Sequence, residues 1–314
     1  MNEPTLQATA VPQTRIENRR RSFRLGGGRE VSWLFLLPAV AIYAFVVLYP
    51  SVAGSYYAFT DWNGLNRTHS WVGLDNFRRL IHDDQATSAL KNTVLLAIAI
   101  TFIQNGIGLL LALGVNANIK SRNFLRTLFF APAVLTPIVV AYLWKYIYSP
   151  RGALNALLDR VGLDSLTRGW LGDSSLALWA VAAVVIWQFA GFSMVIFLAG
   201  MQGVPPELYE AAEIDGAGPF WRFWNITFPL IAPATTINLV LSTIGGLKLF
   251  DHVFALTEGG PGHATETLST MIYDQAFVFG YFGYSTAVAL VLTLIVSALA
   301  LVQLSFWRSR ELVE

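Results

Sequence analysis

Six apolar stretches recur along the chain, at Val31 to Ala53, Thr93 to Val115, Thr127 to Tyr148, Leu176 to Ala199, Thr227 to Leu247 and Phe282 to Phe306. Each is close to the roughly 20 residues that a helix needs to cross about 30 Å of hydrocarbon. Lipid offers no partner for a backbone N–H or C=O, so a segment that crosses must satisfy these groups within itself, and the stretches lack the alternation of a barrel strand. The expected fold is therefore all-α: a polytopic membrane protein of six transmembrane helices. Composition agrees, with 54% hydrophobic residues against 13% charged and a mean hydropathy of +0.51, more apolar surface than a soluble domain of this size has use for.

Basic residues set the orientation. They gather at Arg15, Arg19, Arg20, Arg21, Arg24 and Arg29 before the first span, at Lys120, Arg122 and Arg126 between spans two and three, and at Arg308 and Arg310 after the last. The positive-inside rule then places both termini in the cytoplasm. Loops of the other face carry Arg67, Arg78, Arg79, Arg151, Arg160 and Arg168, interleaved with Asp75, Asp83, Asp84, Asp159, Asp164 and Asp173. On this topology the segment beginning at Glu210 faces the cytoplasm, and Asp251 to Gly280 faces outside. Residues 1–30 read as a basic disordered tail near anionic headgroups, with Gly26-Gly27-Gly28 as a hinge, and 31–314 as the transmembrane domain. The first span is too long for a cleavable signal peptide and lacks a small-residue cleavage site.

Catalytic chemistry finds little support. The chain has no cysteine, which removes disulfides, thiolate catalysis and cysteine-ligated metals. His69, His82, His252 and His263 are dispersed and form no metal-ligand pattern, so each is expected to be an ordinary loop or interfacial residue. No phosphate loop, His-Glu-x-x-His or Gly-x-Ser-x-Gly motif is present. No cofactor is expected on this chain, and any energy from ATP has to enter through another subunit.

One polar segment interrupts the apolar pattern between spans four and five. Pro205-Pro206 opens a short helix, because a missing N–H is harmless in the first turn, and Glu207 and Glu210 suit its positive end. Gly216 stops it, giving two or three turns from Pro206 to about Ile214, too short to be stable alone in water. Ala211 and Ala212 permit close approach by a partner, to which Glu210 and Asp215 offer charge. Pro219 then opens a second short helix, Phe220 to Asn225, whose aromatic residues suit the membrane interface. Read alone, this elbow is either a docking element or an amphipathic helix that merely anchors the two spans.

The spacing resembles the cytoplasmic loop of bacterial ABC importer permeases, in which Glu-Ala-Ala is followed by Gly and then by Ile-x-Leu-Pro. Here the residues are Glu210-Ala211-Ala212, Gly216 and Ile226-Thr227-Phe228-Pro229, with Phe228 in place of the usual Leu. A second set is similar to the carbohydrate-uptake branch, the larger maltose permease subunit and the glycerol-3-phosphate permeases. It comprises Phe250-Asp251-His252-Val253, Leu256-Thr257-Glu258-Gly259-Gly260-Pro261, Thr265-Glu266-Thr267-Leu268, Ile272-Tyr273 and, in the first outer loop, Trp71-Val72-Gly73-Leu74-Asp75-Asn76-Phe77. The resemblance implies a type I ABC importer permease fold in a bacterial cytoplasmic (inner) membrane, with a coupling helix between helices 4 and 5. It implies a second permease subunit, two ATP-binding cassette subunits that hold ATP and Mg, an extracytoplasmic solute-binding protein and a sugar substrate, with no nucleic acid. It also implies that Glu210, Ala211, Ala212, Asp215, Gly216 and Ala217 form the ATPase-coupling surface.

Polar residues within apolar spans are costly unless they face a cavity or another helix. Gln104, Asn105, Gln188, Asn238 and Ser242 are such residues, with Lys248 and Asp251 near the outer end of span five. Sugars need hydrogen-bonding amides and aromatic faces, which makes Gln188, Asn238, Ser242, Lys248, Phe250, Asp251 and Trp187 candidates for a substrate path. The competing reading is interhelical hydrogen bonding, with Lys248 and Asp251 simply paired to each other. Gly245-Gly246 serves either close packing or gating, and Gly259-Gly260-Pro261-Gly262 is a turn former. An ion-gradient carrier is the alternative function, but it calls for internal repeats and mid-membrane carboxylates, and no Asp or Glu stands clearly at mid-depth.

Overall fold

A computed structural model describes residues 36–117 and 119–311, with side chains as far as Phe306. The expected tail of residues 1–30 lies outside the described residues. Of the described residues, 36–50 belong to one compact unit and those from Ser51 onward to another.

Helix α1, Leu37–Tyr57, is an apolar helix that takes in a π turn at Ala44–Leu48. In the second unit, an antiparallel bridge joins Thr60 to Trp71. Asn76 donates from Nδ2 to the carbonyls of Ala58 and Thr60, so the Trp71–Phe77 signature folds as a corner clamped by one amide. Helix α2, Asp75–His82, ends at Asp83, whose carboxylate accepts from the N–H groups of Gln85 and Ala86 and so caps the next helix. That cap satisfies two of the four N–H groups that a helix start leaves without partners. Helix α3, Asp84–Asn116, is one continuous span of 33 residues, longer than its apolar stretch because the cap starts it early.

The third and fifth apolar stretches, expected as single helices, are each bent. Helices α4, Arg122–Val134, and α5, Pro137–Ile147, meet at 98°. Thr136 precedes a proline and is extended, with φ −67° and ψ 142°; the proline ring disfavours helical geometry at that residue, and the helix breaks there. After α6, Ala153–Arg160, comes the straight span α7, Ala177–Gln202. The elbow follows as α8, Pro206–Ile214. It leads into the second bent pair, α9, Pro219–Leu230, and α10, Ala232–Leu247, which meet at 68° around Ile231. Helices α11, Asp251–Thr257, and α12, Leu268–Tyr273, precede the last span, α13, Phe282–Glu311. Among the described residues, four helices are long and apolar enough to cross a membrane, and up to six if each bent pair counts as one span.

The core is organised along α7. Val181, Val184 and Val185 pack with Leu96 and Ile100 of α3, Val140 of α5, and Val253 and Leu256 of α11. Further along, Met194, Phe197 and Met201 pack with Ala112 and Val115 of α3 and with Ile231, and Tyr209 and Ile226 of the elbow lie against this second cluster. Between the two sits a buried polar layer of Gln104, Asn105, Gln188, Ser193, Asn238 and Ser242. Lipid tails are as apolar as Leu, so apolar burial alone gives helices little reason to associate; interhelix hydrogen bonds average about 0.6 kcal/mol each. The layer has several: Gln104 Nε2 to Ser193 Oγ at 2.9 Å, Asn105 Nδ2 to Ser242 Oγ at 2.8 Å and Asn238 Nδ2 to the Ser193 carbonyl at 3.1 Å. At Gly246 a Cβ would stand 2.7 Å from the Cα of Ala97, so this glycine lets α10 lie directly against α3.

Candidate functional site

Two regions collect the candidate residues, and they lie at different depths. The first is the elbow. Helix α8 ends in a left-handed residue, Gly216 at φ +78°. The Ala217 N–H donates to the Ala212 carbonyl at 2.8 Å and the Gly216 N–H to that of Glu213 at 3.1 Å. This is the Schellman pattern, which gives the last carbonyls of a helix their partners and turns the chain sharply. Two side-chain links then tie α8 to α9: Arg222 Nη1 to Glu213 Oε2 at 3.2 Å, and the Tyr209 hydroxyl to Thr227 Oγ1 at 3.0 Å. A helix too short to persist alone is thus held at its end, along its side and against the second apolar cluster.

Of the six candidate coupling residues, Ala211, Ala212, Asp215, Gly216 and Ala217 line one hollow, of about 540 Å³, together with Trp221 and Ile226. Glu210 stands outside it, exposed on the same helix, while Ala212 is buried. Around the hollow, Ile214 is 86% exposed and Phe220 78% exposed. A rigid, capped element that presents acid groups beside uncovered apolar side chains is chemically fitted to receive another surface.

The second region is a cavity of about 410 Å³ beside the polar layer. Asn238, Ser242, Lys248, Phe250 and Asp251 line it, as do Gln104, Ser193, His252 and the rings of Phe189 and Phe192. A π turn at Ile100–Gln104 lies in its wall, a distortion often found where a helix serves a site. Its chemistry is mixed: amides and hydroxyls that both donate and accept, one cation, one carboxylate and aromatic faces. Hydrogen bonds with neighbouring helices engage Gln104, Asn238 and Ser242 as well, so the packing reading and the cavity reading describe the same atoms.

The family of binding-protein-dependent transport system inner membrane components matches residues 104–309, which takes in both regions. YurN of Bacillus subtilis (strain 168), described as a probable ABC transporter permease protein, is 38% identical over 282 residues, covering 89% of this chain and 96% of that protein. The chain belongs to this family. AmyD of Thermoanaerobacterium thermosulfurigenes, described as a probable starch degradation products transport system permease protein, is 35% identical over 279 residues, or 89% of this permease and 94% of the relative. Among solved structures, a bacterial alginate ABC transporter in complex with an alginate pentasaccharide-bound periplasmic protein has a chain with a TM-score of 0.78 and 25% identity. That match covers 90% of the permease and 95% of the other chain.

Several side chains of the permease differ from expectation. Gln188 does not line the cavity; it is fully buried and holds His252 instead. Trp187, one position earlier, lines an apolar groove with Ile103, Leu128 and Trp179 instead. Lys248 and Asp251 make no ion pair, because α10 ends at Leu247 and a new helix begins at Asp251, so the two do not share a helical turn. His252 is 1% exposed, not a loop or interfacial residue. Ser193 and the Glu213–Arg222 pair had no signal in the residue pattern: a lone serine in an apolar helix and a pair nine residues apart become visible only once the helices are packed.

A buried carboxylate also occurs away from both regions. Glu266, 1% exposed, accepts from Gln85 Nε2 at 2.9 and 3.0 Å and meets His263 Nδ1 at 2.8 Å. Burial pushes its carboxyl above the ordinary range, against the opposing pull of Gln85 and His263. The contact fastens the Gly259–Gly262 turn to the start of α3.

Proposed function

We propose that this permease is the membrane-spanning subunit of a carbohydrate importer driven by ATP hydrolysis on other chains. The reading rests on one observation above the rest: the elbow is a capped, cross-tied lever whose acidic and apolar side chains are left uncovered. Glu210, Ala211, Asp215, Gly216 and Ala217 form the surface that meets an ATP-binding cassette subunit, and Ala212 packs behind them as the fulcrum. With both termini in the cytoplasm, the elbow faces the cytoplasm and the loops around Glu266 face the solute-binding protein. A second permease subunit completes the path, and two cassette subunits bind ATP and Mg. Closure of the cassettes pushes the elbow, which moves α10 through the bend at Ile231 and exposes the cavity alternately to the two sides.

Carbohydrate is the substrate class that best suits the cavity, since Asn238, Ser242 and Gln104 meet hydroxyls and Phe250 offers an apolar face. The starch-product permease and the alginate transporter among its relatives support that choice. Capture of the tagged chain from its native membrane tests it: a second permease, a cassette subunit and a solute-binding protein carrying a carbohydrate are expected, and a binding protein loaded with an amino acid would refute the substrate class. Because the chain has no cysteine, Ala211→Cys is a unique crosslinking handle. Crosslinks to a cassette subunit are expected; crosslinks confined to lipid or to the chain itself in a working complex would overturn the coupling role.

A further inference from the structure

We propose that His252 is a substrate-binding residue: the bare Nδ1 of its ring accepts a hydrogen bond from a hydroxyl of the cavity's occupant. This rests on the reading of the cavity as the substrate path and adds to it the atom that recognises a donor.

The argument begins at the bend in the third span. Leu135 lies in the extended break between α4 and α5, with φ −72° and ψ 146°, where its carbonyl has left the helical ladder. Gln188 Nε2 stands 2.9 Å from that oxygen. A carbonyl only accepts, so the amide nitrogen has to be the atom facing it, and this fixes the orientation of the whole side chain. Gln188 Oε1 is then the atom that faces His252 Nε2, at 2.7 Å. An amide oxygen also only accepts, so Nε2 carries the hydrogen. In the neutral ring the other nitrogen is left as a lone-pair acceptor.

That acceptor, Nδ1, is buried and has no hydrogen-bond partner among the described residues. Buried polar atoms without partners are rare, and each calls for an explanation. Here His252 is one of the residues that line the cavity, with Ser242, Lys248 and Asp251. The ring is also held in place, by Gln188 at one edge and by Phe189 at a centroid distance of 6.2 Å and 69°. An acceptor that is fixed and dry before the ligand arrives selects for a ligand that brings a donor. With one cation and one carboxylate already in the wall and neutral groups elsewhere, the donor that fits is a hydroxyl, which gives a hydrogen to Nδ1 and accepts from the amides around it.

The test uses the assembled importer in nanodiscs with histidine labelled in its ring nitrogens, the His252 signals being assigned by their loss in His252→Gln. The probe is glycerol, the smallest vicinal polyol. Before addition, one ring nitrogen should carry hydrogen and the other should resonate as a bare acceptor; glycerol should move the bare signal upfield, and equimolar betaine, which has no hydroxyl, should not. A bare signal unmoved by saturating glycerol, or moved equally by betaine, would overturn the proposal, as would two protonated nitrogens at the outset. A separate reading protects the distinction: Ser242→Cys should be shielded by glycerol from a small thiol reagent. Shielding without a His252 shift sinks His252 alone; the absence of both sinks the cavity as well. Paired variants give a third readout, because an Asn side chain places its amide near the position of Nδ1 and Gln near that of Nε2. In the Ser242→Cys background, His252→Asn should retain most of the shielding, and His252→Gln should require about fivefold more glycerol, the scale of one neutral hydrogen bond. Equal effects, or the reverse order, would count against the assignment.

Discussion

The elbow and the polar layer are both polar interruptions of an apolar chain, yet they are built on opposite terms. In the elbow, charge is outside and the backbone carries the structure: proline opens α8, Gly216 closes it, and Glu210 and Asp215 remain exposed. In the layer, every polar side chain is buried and the side chains carry the structure, bonding from helix to helix across α3, α7 and α10. The elbow is thus free to exchange solvent for a partner surface without breaking an internal bond, whereas in the layer most side-chain donors and acceptors are already engaged from helix to helix, Asn105 Oδ1 being a buried acceptor with no partner among the described residues. Changes in the first should uncouple the permease and leave it folded. Changes in the second should cost stability, selectivity or both.

The largest effect is expected from Glu210→Lys. It reverses an exposed charge that has no internal partner among the described residues, so the chain should reach the membrane at the normal level. Uptake and the stimulation of ATP hydrolysis by the loaded binding protein should both be lost. Assay of the two in proteoliposomes breaks the comparison if either survives at the wild-type level. The next effect is in the layer. Gln188→Leu removes the amide shared by the Leu135 carbonyl and His252 Nε2, leaving two buried groups unmet at about 1–3 kcal/mol each. Thermal unfolding of the purified complex should fall by several degrees, and a midpoint equal to wild type would show that the layer tolerates a missing link.

Smaller effects sharpen the contrast. Asn238→Ala should raise the apparent KM for the sugar found on the copurified binding protein by up to about tenfold, with maximal rate nearly kept, as expected when one ground-state contact is removed. An unchanged KM would leave Asn238 as helix packing only. Gly216→Ala should be milder. A Cβ there meets nothing within 4 Å, so the cost is the left-handed backbone alone, about 1–2 kcal/mol, and coupling should weaken without vanishing.

These two regions also differ in how far the residues alone disclose them. The elbow was legible because its signals are local: a proline at the first turn, a glycine at the C-terminal turn and small residues between them all act within ten positions. The six apolar stretches were legible for the same reason, although apolarity alone did not disclose that two of them bend, at Thr136 and Ile231. The cavity was legible only in part. Asn238, Ser242, Lys248, Phe250 and Asp251 were picked out by residue type and do border it, but residue type could not tell that Gln188 supports a neighbour while Ser193 and His252 face the space. Along α7, with apolar residues on every side, no helical face stands out, and the direction of each side chain is decided by α3, α5, α10 and α11.

The smallest expected effect is a control for whether burial itself, away from both regions, governs these costs. Glu266 is as buried as the layer residues, but it lies in the loop before α12. Its folded-state carboxyl is raised by desolvation, so the folded protein holds the proton more tightly than the unfolded chain does. Its contribution to stability is therefore complete below the unfolded carboxyl value and is lost as pH rises through the raised folded value. Glu266→Gln cannot ionise, and its amide still accepts from Gln85 and donates to His263. The midpoint of Glu266→Gln minus that of wild type should accordingly grow as pH rises across the carboxylate range, by a degree or so. If the difference stays flat with pH, the burial cost at Glu266 is met by His263 and Gln85 in full, and the contrast drawn for the polar layer has to rest on hydrogen-bond geometry and not on desolvation.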